Sequence, residues 1–383
     1  MYILCVSIDE GYNTLNALTQ NAKRLTILDL LRGSAIIGVL AIHVSGAFTR
    51  IDGVTSLVGI NVVINTFTHY AVPLFVILSG ILLAMRYYQG FSLKRFYSRR
   101  FLTIVPPYII FTIGYQLLKT GWSDPASFIR TLIENLCTGS GYYHLWFFPM
   151  IIFLYALYPL FEKLYRYCEI HKKELYLLGG LLVLQIAWDS LVLHEHSSGG
   201  SYLFDSLLRR TVLSYIFYFV VGMYIGRNWK VVIEKMKKLS NIYIQIVAYG
   251  LTMILSLHWL RGILEARAEP SYFIIARLVE PFLYLATVIL LTKALLYIQR
   301  SHPIITRIMY CLGSLSFGIY LVHVFVIRFF DPLLERIGMT PEDYLYYPVL
   351  FVVVLAVSYF FVHVINYLPF SKYIVGHARS KRR

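Results

Sequence analysis

Charged side chains are scarce in this chain: Asp, Glu, Lys and Arg make up 14% of its 383 residues, against about 25% in an ordinary soluble domain. So few cannot clothe a soluble globule that is 58% apolar, and a mean hydropathy of +0.64 excludes a disordered chain as well. Cysteine is nearly missing too. Cys5, Cys137, Cys168 and Cys311 are widely scattered, with no C-x-x-C pair and no metal-ligand spacing, which excludes a disulfide scaffold and points to no metal site. Several soluble-enzyme signatures are also absent, namely G-x-x-x-x-G-K-[ST], H-E-x-x-H, G-x-S-x-G and D-x-D. Their absence argues against ATP-driven pumps, zinc proteases and metal-dependent glycosyltransferases. The N-terminus carries only the short apolar run Met1–Ser7 before polar residues to Arg24, so no cleavable signal peptide is expected.

What the chain has in abundance is long apolar runs. A spanning helix needs about 20 largely apolar residues, and the runs predict an all-α polytopic membrane protein with about ten transmembrane helices. They fall near 27–48, 60–85, 101–118, 145–162, 174–193, 208–226, 241–260, 273–298, 308–330 and 346–368. The net charge of +15 reads here as topology rather than as nucleic-acid binding. Lys and Arg are more than twice as frequent on one set of alternate loops as on the other, and the richer set includes both termini, so both are expected in the cytoplasm. The organisation read from this is a cytoplasmic segment 1–24, one membrane domain 25–368 and a basic cytoplasmic tail 369–383. The localisation expected is a bacterial plasma membrane.

The informative residues are polar ones inside the spans. An Arg in mid-helix costs roughly 2.5–3.5 kcal/mol on insertion scales and so normally faces protein or water. Arg32 and His43 in the first span are eleven positions apart, three turns plus about 20°, which sets them on one face about 16 Å apart along the axis. Asp29 lies one turn before Arg32 and is placed to pair with it. His43, His69, His144, His194, His196, His258 and His323 fall in outer halves or outer loops, with Asp189 and Glu280 near outer helix ends. An outer polar pocket holding a neutral imidazole suits general-base chemistry. On the inner side, Arg86, Lys94, Arg95, Arg99 and Arg100 crowd one short loop, as a seat for an anionic phosphate ligand or as a consequence of topology alone.

In this order along the chain, the motifs resemble those of the acyltransferase 3 family, integral membrane proteins that acylate sugar hydroxyls and related acceptors at the bacterial surface. Asp29-Leu-Leu-Arg32-Gly33 with His43 is similar to the family's Arg-x10-His signature. The stretch Pro73-Leu-Phe-Val-Ile-Leu-Ser79-Gly80 is similar to its F-F-x-x-S-G, and Ser314-Leu-Ser316-Phe-Gly-Ile-Tyr320-Leu-Val-His323 to its S-x-x-I-Y-L-x-H. Arg99-Arg100, Ile104-Val-Pro106-Pro107-Tyr108 and His144-Leu-Trp146-Phe147 complete the likeness. Family members often carry a further Arg one turn beyond the paired basics, where this chain has Thr103.

The resemblance implies an O-acyltransferase with no bound cofactor and no metal, using an acyl-CoA such as acetyl-CoA as co-substrate. It implies a short acyl group moved to a hydroxyl of a cell-surface or lipid-linked glycan, with nucleic acid excluded as a partner. His43 would be the general base and Arg32 would meet the donor. Asp29, Arg99, Arg100, Ser79, His144, Trp146, Tyr320 and His323 would hold the substrates. Two other classes fit ten spans and an outward polar cavity: a transporter or flippase of a lipid-linked sugar, and a non-catalytic partner in polysaccharide export.

Overall fold

The structure, a computed structural model, describes residues 26–376 apart from 54, 89, 123, 198–209, 240 and 266–269. The segment 1–24 and the last seven residues lie outside the described residues, as do the side chains of His194, His196 and His258.

Helix α1 covers 26–45 and continues as a 3₁₀ turn, Gly46–Arg50. It is followed by α2 (Ser56–Thr68), α3 (Ala71–Tyr87), α4 (Leu93–Thr120), α5 (Pro125–Thr138), α6 (Phe147–Ile170) and α7 (Glu174–Ser197). Beyond these come α8 (Ile216–Arg227), α9 (Trp229–Lys238), α10 (Asn241–Glu265), α11 (Pro270–Ser301), α12 (Pro303–Arg336), α13 (Tyr346–Ile365) and α14 (Ser371–Val375). Among the described residues, eight helices are long and apolar enough to cross a membrane, α2 and α3 counting as one, or nine if the bent pair α8–α9 is taken as one span. This is a multi-pass, all-helical membrane protein. Its large exposed side chains, such as Phe153, Leu160, Val183, Val352 and Phe360, are what helices bathed in lipid present.

Of the ten runs expected from sequence, one takes a different form, for a physical reason. The run at 208–226 forms only twelve helical residues, Ile216–Arg227, about 18 Å of rise, which is too short for a bilayer core. Residues 210–215 before it are turn and 3₁₀ backbone. Such backbone persists at membrane depth only where protein or a wet cavity satisfies it. After Arg227 the chain turns by 98° into α9, whose Lys-rich face and lack of buried residues fit a helix lying on the membrane surface. The run at 241–260 lies within the 25-residue helix α10, Asn241–Glu265, long enough to cross a bilayer core. The second run breaks between α2 and α3 because Pro73 has no N–H to give His69, and its ring crowds that carbonyl. Residues 371–375, grouped with the tail in sequence, are α14, which packs against α4, α12 and α13 with Ser371 and Val375 buried.

Two helix crossings fix the bundle, and both depend on glycine. Between α3 and α8, a Cβ on Gly80 would collide with the Phe219 carbonyl, one on Gly222 with the Ile77 carbonyl and one on Gly226 with the Ile81 carbonyl. Backbones therefore touch along this crossing, the small-residue packing that membrane helices rely on when lipid removes the hydrophobic drive. Between α1 and α12, Gly33 meets the Met309 carbonyl and Gly313 meets the Asp29 carbonyl. Helix α1 itself sits between two apolar clusters. Its first half, Ile27 to Ala35, packs with α3, α6, α8 and α11, and its second half, Ile36 to Val44, with α4, α12 and α13.

A candidate active site between two cavities

Helices α1 and α12 run in the same direction and cross at Gly33 and Gly313. His43 lies ten positions beyond the first glycine and His323 ten beyond the second, so both imidazoles stand about 15 Å above the crossing. Their ring centroids are 5.1 Å apart. A third imidazole arrives from the turn between α5 and α6. Helix α5 stops at Gly139, whose φ of 73° is the left-handed conformation glycine adopts without strain. The following residues fold inward against Trp146, and His144 lands 6.4 Å from the His43 ring and 5.2 Å from His323. Tyr143 packs on His43 at 5.0 Å. The hydroxyl of Tyr320 donates to the His144 carbonyl at 2.6 Å and holds the turn in place.

The chemistry of this cluster follows from its hydrogen bonds. Nδ1 of His323 is 2.7 Å from the Tyr320 carbonyl. A carbonyl only accepts, so Nδ1 carries the proton and Nε2 holds the lone pair. Nε2 of His323 and both ring nitrogens of His144 are buried without a hydrogen-bond partner among the described residues, His144 at 1% and His323 at 0% exposure. An unpaired buried polar group costs about 1–3 kcal/mol, so three of them beside one half-buried imidazole are what a site prepared for a polar ligand looks like.

Two cavities meet at His43. The larger, about 630 Å³, is bordered by His43, Trp146, Asp189, Arg210, Glu280 and Tyr320 among others. The irregular stretch 210–215 contributes Arg210, Ser214 and Tyr215 to its wall, which is how that non-helical backbone is accommodated. The Ser214 hydroxyl donates to Asp189 at 2.5 Å, and Arg210 lies over the Trp146 ring at 5.5 Å. The smaller cavity, about 380 Å³, lies on the other side of His43 and Tyr143 and is walled by Arg50, Arg328, Asp331 and Tyr346. Here Arg50 donates to Asp331 at 3.0 Å, Glu335 at 2.8 Å and the Tyr346 hydroxyl at 2.6 Å, tying the end of α1 to α12 and α13.

Towards the other end of α1 is a third, tight cavity of about 90 Å³, lined by Arg32, Ser79, Arg100 and Tyr155 with apolar neighbours. Arg32 donates to Asp29 at 2.7 Å. The Arg100 guanidinium lies over the Tyr155 ring at 5.3 Å, and its Nε is buried without a partner among the described residues. The Tyr155 hydroxyl donates to Ser79 at 3.1 Å. Two guanidinium groups from different helices thus converge on one small space, a geometry suited to a phosphate or carboxylate. Phe75, which lines this cavity, packs on Phe147 at 6.3 Å, and Phe147 on Tyr320 at 5.5 Å. This aromatic chain separates the Arg32 cavity from the His43 chamber.

The residues singled out in sequence therefore fall into two groups. His43, Trp146 and Tyr320 line the upper chamber, with His144 and His323 packed behind His43, and Arg32, Ser79 and Arg100 line the lower cavity, with Asp29 paired to Arg32. Arg99 joins neither, because it sits on the exposed face of α4 next to Arg100. Arg86, Lys94 and Arg95 are also exposed. Sequence reasoning missed Tyr143, Tyr155, Gln185 and Arg210. Tyr143 and Tyr155 had no signal among 32 tyrosines, while Gln185 and Arg210 are polar residues in or beside apolar runs and carried the same warning as Arg32. Among the described residues no group of three His, Cys, Asp or Glu side chains is disposed to hold a metal ion.

A family model described as an acyltransferase domain, that of the acyltransferase 3 family, matches residues 25–363. The match takes in nearly the whole chain, and the protein belongs to that family. It is a multi-pass membrane acyltransferase. No curated protein and no solved structure matches the chain.

Proposed function

We propose that this enzyme moves a short acyl group, acetyl from acetyl-CoA or one similar, across the width of the bundle to a glycan hydroxyl. Arg32 and Arg100 receive the donor from the cytoplasmic side, where their guanidinium forks suit its phosphates or thioester oxygen. The acceptor enters from the opposite side into the chamber beside His43. There Trp146 offers an apolar face to a sugar ring, and Asp189, Glu280 and Gln185 offer hydrogen-bonding groups. The observation that supports this reading is the grouping of His43, His144 and His323 where a polar chamber approaches a cationic cavity.

The step proceeds with His43 as general base. Its imidazole takes the acceptor O–H proton as the oxygen forms a bond to the acyl carbon. The C–S bond then breaks, and the thiolate leaves with the proton returned from the imidazolium. Between them, neutral His144 and His323 leave one N–H and two lone pairs unpaired beside His43. An N–H aimed at the developing oxyanion stabilises it in a water-poor setting. The membrane is the bacterial plasma membrane, with the Arg32 end of the bundle cytoplasmic.

Removing a positioned base costs about 10²- to 10⁴-fold. His43→Ala and His43→Gln should therefore insert normally and leave acylation of surface glycans, read by mass spectrometry at matched membrane abundance, at or below about one hundredth of wild type. An amide hydrogen-bonds but accepts no proton at neutral pH, so Gln should not rescue. If His43→Gln retains more than a tenth of the activity, His43 is not the base.

A further inference from the structure

A further cavity lies outside both substrate chambers. It is a groove of about 770 Å³ between α4, α12, α13 and α14, reaching from Ile365 and Ile374 at the Arg32 end to Leu118 and Phe330 towards the His43 end. Along α12 it runs from Val322 to Phe330, about 12 Å of rise, which matches a hydrocarbon segment rather than a whole protein helix. Its walls are apolar with one exception, Arg328. That residue also borders the 380 Å³ cavity that ends at His43, and it lies five positions beyond His323 on the same helix. Arg328 makes no hydrogen bond or ion pair among the described residues, although Asp331 is one turn away and engaged by Arg50 and Tyr346. An arginine on a membrane helix is costly and normally partnered. Here it stands where an apolar groove meets a polar cavity that reaches the candidate base.

We propose that this groove and Arg328 form the seat of a lipid-phosphate carrier, the tail in the groove and the phosphate on Arg328, from which the acceptor sugar reaches His43 through the smaller cavity. The proposal rests on the acyl-transfer reading and narrows its acceptor to a phosphate-linked lipid. The charge and the shape of the site both favour this occupant. A guanidinium fork matches phosphate oxygens in pairs, the groove lacks any polar group that would hold a sugar, and the adjoining cavity has Thr49, Arg50, Asp331 and Tyr346 that would. The sugar would then continue past Tyr143, which lines both cavities at His43, into the larger chamber.

The test is direct binding of radiolabelled farnesyl phosphate to the full-length protein in detergent, with phosphatidylglycerol as competitor. Arg328→Ala should weaken retention about tenfold or more, the effect of losing a charge-assisted contact, and Arg328→Lys should recover only part. Val357→Trp, which fills the groove without touching the charge, should abolish retention while the melting temperature stays close to wild type. Phosphatidylglycerol should displace the probe only in large excess. Unchanged binding in Arg328→Ala and in folded Val357→Trp overturns the proposal. Displacement by an equal amount of phosphatidylglycerol overturns it too, because the groove is then a seat for ordinary bilayer lipid. His43→Ala should bind the probe as wild type does, so a failure of the acyl-transfer reading shows in glycan acylation and leaves this binding result intact.

Discussion

At the scale of single residues, the division of labour along α1 depends on what each polar side chain meets. Arg32 is paired with Asp29 and shares a 90 Å³ cavity with Arg100 and Ser79, whereas its neighbours in the chain are packed in apolar contacts. If Arg32 serves the donor, Arg32→Ala should raise the KM for acyl-CoA at least tenfold with normal membrane abundance. Arg32→Lys should recover little, because an ammonium keeps the charge and loses the planar fork. If the residue only anchors Asp29, Arg32→Ala would lower abundance and leave acyl-CoA affinity as it was. Equilibrium binding of acyl-CoA to purified variants separates the two. Arg99 and Arg100 show how fine the distinction is. Adjacent positions on a helix point about 100° apart, so one guanidinium reaches the cavity and the other faces outward.

At the scale of elements, the site is built by two glycine crossings and one turn. The α1–α12 crossing at Gly33 and Gly313 is what brings His43 and His323 to one height, since each stands ten residues beyond its glycine. A side chain at Gly313 would be driven into the Asp29 carbonyl. Gly313→Val should therefore separate the helices and lose well over the roughly 1–3 kcal/mol typical of overpacking. The readout is a lower melting temperature in detergent together with loss of acylation. Gly59→Ala, at a position with open space around it, is the matched control and should leave both nearly unchanged. The turn at 139–146 has a different logic. Its backbone leaves helical geometry at Gly139, is held by Tyr320, and brings His144 from one loop edge-on to two histidines carried by helices.

At the scale of the whole molecule, the polar chamber at His43, the aromatic contact of Phe75 with Phe147 and the cationic cavity at Arg32 line up along α1. That gives the enzyme a direction across the bilayer. Single cysteines introduced at Gly90, Lys173 and Lys235 should be labelled by a membrane-impermeant maleimide only after the cytoplasmic face is opened. Cysteines at Trp122 and Glu342 should react in intact spheroplasts. The reverse pattern would invert the donor and acceptor sides and remove the basis of the proposed chemistry.

Composition and hydropathy alone were enough for the class of molecule, because lipid accepts only helices whose apolar length matches its thickness. They were also enough for the one-face alignment of Arg32 and His43, because the helical repeat is a local property. The polar residues Asp189 and Glu280 were legible for the same reason, since a costly side chain in an apolar run must be facing something other than lipid. Which of the histidines would meet was not legible in that way. His144, His323 and His43 are separated by up to 280 positions, and their meeting depends on where two glycines let backbones touch and where Gly139 turns the chain. The short helix α8, the break at Pro73, the selection of Arg100 over Arg99 and the groove ending at Arg328 likewise came only with the tertiary structure. Each is decided by which neighbour fills the space beside a helix, and apolar runs of similar composition carry no record of their neighbours.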